Sequence, residues 1–229
     1  MAITLYELAG ADPDRRFSPF CWRIRLALEH KGLSFAGRPW RFTEKDAIAF
    51  ADSGTVPVLV DGDRTIAESS VIAAYLEEAY PDRPTLFGGP AAQALTRFLV
   101  HWTDGVLHPA LAPLLLRDIH AILAPQDRDY FRQSREARFG RALEAVCPDP
   151  DAQRTLLRRT LSPLRATLRL QPFLGGEGPL YADFVVMGAF LWARGVSAQA
   201  LLEPDDPVEA WRLRMLARLG PESRALTSF

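Results

Sequence analysis

Residues 55–72 read Thr55-Val56-Pro57-Val58-Leu59-Val60-Asp61-Gly62-Asp63-Arg64-Thr65-Ile66-Ala67-Glu68-Ser69-Ser70-Val71-Ile72. Val56 to Val60 is a β-branched run closed by Asp61-Gly62, and Thr65 to Ala67 answers it across the turn, which predicts a hairpin. Glu68-Ser69-Ser70 then opens a helix whose Ile72, Tyr75, Leu76 and Ala79 make one apolar stripe, stopped by Pro81. Upstream, Ile3 to Leu8 reads as a strand, followed by a polar loop, Ala11 to Arg16. Ser18-Pro19 starts a helix with Cys21, Ile24 and Leu28 on one face, and Lys31-Gly32 ends it. Phe35 to Trp40 is a second strand, and Thr43 to Ala51 a short helix. Strand-helix-strand followed by strand-strand-helix predicts a mixed four-stranded α/β layer of about 80 residues, a first domain over 1–83.

From Pro81 to Pro90 three prolines and two glycines give linker composition. Helical spacing then takes over at roughly 92–123, 126–146, 152–170 and 181–195, so a second, all-helical domain is expected over 90–229. The chain has 229 residues, 48% apolar and 24% charged, enough to bury a core without disulfides. Twenty-seven basic and 28 acidic residues give a net charge of -1, which lacks the basic footprint of a nucleic-acid binder. Cys21 and Cys147 are too few for a disulfide framework and lack zinc-site spacing, so no metal is expected. Met1 runs directly into Ile3-Thr4-Leu5-Tyr6 with no secretory leader, and the longest apolar stretch, Phe184 to Ala193, is too short to span a bilayer; a soluble, cytoplasmic protein is expected.

Three local arrangements carry chemistry. Ser18-Pro19-Phe20-Cys21 sits where a loop meets a helix N-terminus, a place that favours an anion such as a thiolate. With Ser18 in the first position the C-x-x-C dithiol cannot form; Ser18 also reads as an N-cap, and Cys21 as a small buried hydrophobe. Pro57 in a strand needs a reason: either it is a trans proline on an edge strand, or the Val56-Pro57 peptide is cis, which would free the Val56 main chain for a peptide ligand. Glu68-Ser69 offers a carboxylate for an ammonium and a hydroxyl with helix N–H groups for a carboxylate, matching the γ-glutamyl end of a tripeptide.

In this order and spacing, the motifs resemble the glutathione transferase superfamily over essentially the whole chain. Ser18-Pro19-Phe20 is similar to the serine motif of serine-type members, Thr55-Val56-Pro57-Val58-Leu59 to the cis-proline strand, and Glu68-Ser69-Ser70-Val71-Ile72 to the glutathione clamp. Tyr181-Ala182-Asp183-Phe184 resembles the start of the family's buried central helix, although Leu180 replaces the usual capping serine or threonine. Pro125-Gln126-Asp127-Arg128-Asp129-Tyr130, followed by Ser134-Arg135-Glu136, is similar to bacterial β-aryl etherases and fungal relatives. Pro81-Asp82-Arg83-Pro84, Asp205-Asp206-Pro207 and Trp211 sit where that subfamily has comparable segments. Read from the residues alone, Asp127, Arg128, Asp129, Arg135 and Glu136 form a charged helix start with local ion pairs.

The resemblance implies a thioredoxin-like N-terminal domain, an all-α C-terminal domain, glutathione as co-substrate and a homodimer. It implies glutathione contacts at Ser18, Phe20, Lys45, Val56, Pro57, Glu68 and Ser69, with Ser18 holding the thiolate by a hydrogen bond and Lys45 pairing with the glycine carboxylate. An apolar aromatic electrophile would sit between Phe20 and the first long helix, at Trp102, Thr103 and Val106. His101, His108 and His120 are spread along that helix with no evident carboxylate partner and are read as structural. Two alternatives stand beside transfer: a non-catalytic binder of hydrophobic aromatics, and a thiol transferase using Cys21.

Overall fold

A computed structural model describes residues 3–226. Strands β1 (Ile3–Leu8), β2 (Phe35–Trp40), β3 (Val58–Asp61) and β4 (Arg64–Ala67) form one mixed sheet in the order β2-β1-β3-β4. β1 and β2 are parallel; the other two pairings are antiparallel. Pro39 is tolerated because β2 is an edge strand. The expected strand from Val56 is shortened: the β3–β4 ladder starts at Val58 with Ala67, since Pro57 has no N–H to donate. Helices α1 (Pro19–His30) and α2 (Ser69–Ala79) complete this part, and the short helix expected from Thr43 is a 3-10 segment, Lys45–Ala51.

The helical part comprises α3 (Pro90–Trp102), α4 (His108–Ile122), α5 (Pro125–Phe139), α6 (Pro150–Thr160), α7 (Ser162–Leu168), α8 (Tyr181–Val196), α9 (Pro207–Ala217) and α10 (Pro221–Leu226). The helix expected over 92–123 is continuous except for a π turn, Thr103–Leu107, between α3 and α4. The helix expected to reach 146 stops at Phe139, where Gly140 takes the left-handed conformation (φ 65°) that a glycine adopts without steric penalty. The one expected over 152–170 breaks at Leu161, with Pro163 in the first turn of α7. α9 was not anticipated, yet Asp206-Pro207 is a start signal: the Asp206 carboxylate accepts the Val208 N–H at 2.9 Å.

One apolar core runs through both parts, and α8 lies at its centre against α1. A Cβ at Gly188 would come within 2.5 Å of the Pro19 carbonyl oxygen, so only glycine lets the helices approach this closely. The first turn of α8 is anchored by Asp183, fully buried, whose carboxylate accepts the N–H groups of Leu174 (2.7 Å), Gly175 (2.9 Å) and Leu180 (3.0 Å) and the Trp211 indole N–H (2.8 Å). The Leu180 side chain has no acceptor to return a bond, so half a capping box remains, as its sequence implies.

Across the two parts, the buried Asp127 accepts both the Thr43 N–H (2.9 Å) and the Thr43 hydroxyl (2.8 Å). The reading of this segment as local ion pairs is therefore corrected: Asp127 ties α5 to the loop after β2. Arg128 donates to the Leu123 and Ala121 carbonyls at the end of α4, and Glu136 pairs at 3.0 Å with Arg132, which was not among the residues expected to pair.

Candidate active site

Between the sheet part and helices α4, α5 and α8 lies a cavity of about 440 Å³, within the usual size of small-molecule sites. Ser18, Phe20, Lys45, Val56, Pro57, Glu68 and Ser69, drawn from four separate segments, all line it. Ser18 caps α1: its Oγ accepts the Cys21 N–H at 3.3 Å. That bond uses an oxygen lone pair and leaves the hydroxyl proton for donation, so capping and anion binding are compatible at one atom. Cys21 is 1% exposed, and burial, reinforced by the Glu7 carboxylate, pushes its thiol up to about 12. At neutral pH it is neither thiolate nor accessible.

The Val56–Pro57 peptide is cis and precedes the first β3–β4 ladder pair. Glu68 has φ 70°, a region sparsely populated by non-glycine residues, and its side chain makes no cap hydrogen bond. Glu68 thus holds the N-cap position of α2 without using its side chain as a cap, and it lines the cavity. Ser69 is buried in the first turn of α2, where its carbonyl accepts the Tyr181 hydroxyl at 3.1 Å. Lys45 donates to the Gly54 carbonyl at 2.6 Å, with its Nζ 4.9 Å from the Trp40 ring centre and 5.5 Å from that of Tyr130.

Trp102, Thr103 and Val106 do not line this cavity: Trp102 is half-buried, Thr103 is fully buried and Val106 is 45% exposed. The cavity-facing side of this helix is the i,i+4 series Asp104, His108, Ala112 and Leu116, and Trp102, Thr103 and Val106 fall on its other faces. Asp104 and His108 line the cavity instead. The Arg23 guanidinium donates to Asp104 Oδ1 at 2.8 Å, and His108 Nδ1 lies 3.5 Å from the same oxygen. His108 is packed between Phe20 and Trp192, with ring centres 5.4 and 5.6 Å away, and its Nε2 has no hydrogen-bond partner. Burial, helped by Arg23 and opposed by Asp104, pushes the imidazole down to about 4, so it is neutral at physiological pH. The i,i+4 spacing of Asp104 and His108 was the signal that could have found this pair. From α5, Tyr130, Phe131 and Arg135 close the far wall, all within or next to the segment that resembles the β-aryl etherases.

A family model described as the N-terminal domain of glutathione S-transferase matches residues 17–79, and one described as the C-terminal domain matches residues 94–212. A probable glutathione S-transferase of Oryza sativa subsp. japonica is 24% identical over 213 residues, 87% of this chain and 81% of that protein. A glutathione transferase from Phanerochaete chrysosporium superposes with a TM-score of 0.86 at 21% identity, covering 96% of this chain and 98% of that one. A glutathione S-transferase of Ceriporiopsis subvermispora, solved in complex with glutathione, gives 0.80 at 24% identity over 98% of both chains. At these identities the two structures speak for the fold, whereas the family models cover both halves of the sequence. This chain belongs to the glutathione S-transferase family.

Proposed function

We propose that this protein binds glutathione in the cavity and, with Ser18, holds its thiol as a thiolate for attack on an aromatic electrophile. The observation that carries this reading is the Ser18 hydroxyl, buried in the cavity wall at the N-terminus of α1, where its oxygen accepts the Cys21 N–H. Glu68 and the first turn of α2 would take the γ-glutamyl ammonium and carboxylate, the Val56 main chain the cysteinyl backbone, and Lys45 the glycine carboxylate. In this division residues 1–83 bind glutathione and 90–229 supply most of the acceptor wall. The aromatic lining from Phe20, Phe131 and Trp192 supports an aryl substrate. The Pro125–Tyr130 segment supports a β-aryl ether. There, sulfur would bond to the carbon next to a ketone while the C–O bond breaks, and the aryloxide would leave with the electron pair and take a proton from water.

The test is an ultraviolet titration of the bound glutathione thiolate in wild type and Ser18→Ala. We expect a thiol pKa about 1–2 units below the free value of ~8.5 in wild type, returning toward it in the variant, with turnover near neutral pH falling roughly 10- to 100-fold. Equal values in both proteins would leave Ser18 as a cap only and favour a non-catalytic binder of aromatics. The buried, protonated Cys21 speaks against a thiol transferase. We also infer a homodimer, supported by the exposure of Leu95 (74%) and Phe98 (71%), three residues apart on α3.

A further inference from the structure

We propose that the α5 side of the cavity selects acceptors bearing a carboxylate on the aromatic ring, held by Arg135 and Arg138. The inference rests on the glutathione reading above in one respect: it takes Lys45 and Glu68 as engaged by the two ends of glutathione. Arg135 and Arg138 both line the cavity, one turn apart on α5. The Arg135 guanidinium carbon stands 4.7 Å from the centre of the Phe131 ring and 5.8 Å from that of Phe42; its recorded hydrogen bond goes to the Ser134 hydroxyl at 2.6 Å. Neither arginine is in a salt bridge among the described residues, whereas the fully buried Arg16, Arg23 and Arg25 each face a carboxylate. Like charges one helical turn apart repel, and Glu136, which lies between them in the chain, is engaged by Arg132 and the Leu143 N–H. The carboxylates on the cavity wall are Glu68 and Asp104, and Asp104 is already neutralised by Arg23.

Electrostatics across the cavity agree with this geometry. Burial and then the Arg138 charge lower the pKa of Arg135, and Arg138 also contributes to lowering that of His108. An anion beside α5 would relieve both. A planar guanidinium packed beside two adjacent rings presents a fork that matches a carboxylate, and such rings offer a face to the arene that bears it.

The probes are 4-chloro-3,5-dinitrobenzoate and its neutral counterpart, 4-chloro-3,5-dinitrobenzamide. In either, the thiolate sulfur bonds to the ring carbon bearing chlorine, and chloride leaves with the electron pair. The readout is the benzoate-to-benzamide ratio of kcat/KM, divided by the same ratio for free glutathione without protein. We expect this ratio to be about ten or more in wild type and to fall to about one in the Arg135→Gln, Arg138→Gln double variant, with the exposed Arg138→Gln alone giving an intermediate value. No preference in wild type, or a preference that survives in the double variant, would overturn the proposal. So would a loss of S-methylglutathione affinity in the double variant by the same factor, which would assign the arginines to glutathione's own carboxylate. If neither acceptor turns over, the transfer reading fails by itself, and calorimetric binding of 3,5-dinitrobenzoate against 3,5-dinitrobenzamide decides the inference. An arginine-dependent tenfold preference upholds it, and equal binding sinks it.

Discussion

Ser18 illustrates why a residue's structural and chemical roles need not compete. A hydroxyl oxygen can accept the Cys21 N–H and still donate its proton, so the cap that starts α1 also fixes the direction of the donor. His108 is the other residue whose environment sets its state. Its imidazole sits near Asp104, Arg23 and Arg138, and burial holds it down at about 4. As pH falls below the ordinary histidine value of ~6.5, the unfolded chain takes up a proton that the folded chain refuses. Stability present above pH ~6.5 is therefore lost on the way to pH ~4, by about 3 kcal/mol for this one group. Urea unfolding of wild type and His108→Gln across that range should show a shallower acid decline in the variant. Parallel curves would mean that His108 titrates normally in the folded protein.

At the level of elements, α8 is the piece on which the others depend. Its buried acid, Asp183, gathers three main-chain N–H groups and the Trp211 indole, joining the loop before α8 to α9. Burial nonetheless leaves the Asp183 carboxyl above its ordinary range, the bonds from those donors opposing the shift. Asp183→Ala would strand four donors where water does not reach and should cost about 3 kcal/mol or more in denaturant unfolding. Asp183→Asn keeps one acceptor oxygen and should fall between. A loss under 1 kcal/mol in the alanine variant would mean that the donors find other partners. Gly188 makes a different contribution: with no side chain it brings α8 against the Pro19 carbonyl, directly beneath the loop that carries Ser18.

For the whole molecule, the proposed dimer requires a surface that a second copy would cover. Leu95 and Phe98 on α3 and Val71 on α2 are large apolar side chains left in solvent, a pattern that marks an interaction surface when the residues are contiguous. Light scattering after size exclusion should give a mass near twice the 25.5 kDa chain for wild type and near one chain for Phe98→Glu. A wild-type mass of one chain would remove the dimer proposal. Trp102, expected in the substrate pocket, keeps helical spacing with Leu95 and Phe98, and the π turn begins immediately after it.

Local chemistry was legible in the sequence because short-range rules govern it. The hairpin at Asp61-Gly62, the cap at Ser18 and the strands Ile3–Leu8 and Phe35–Trp40 each follow from neighbours within a few residues. The seven residues proposed to contact glutathione came from the family resemblance, which rests largely on short contiguous motifs, and the cavity collects all seven. The far wall could not be read that way. Its composition depends on Asp127 reaching across to Thr43 and on which faces of α4 and α5 then meet the cavity. The Asp104–His108 pair is local, but it meets Arg135 and Trp192 only when α4, α5 and α8 pack. Helical periodicity tells which residues share a face, but only tertiary packing decides what that face looks upon.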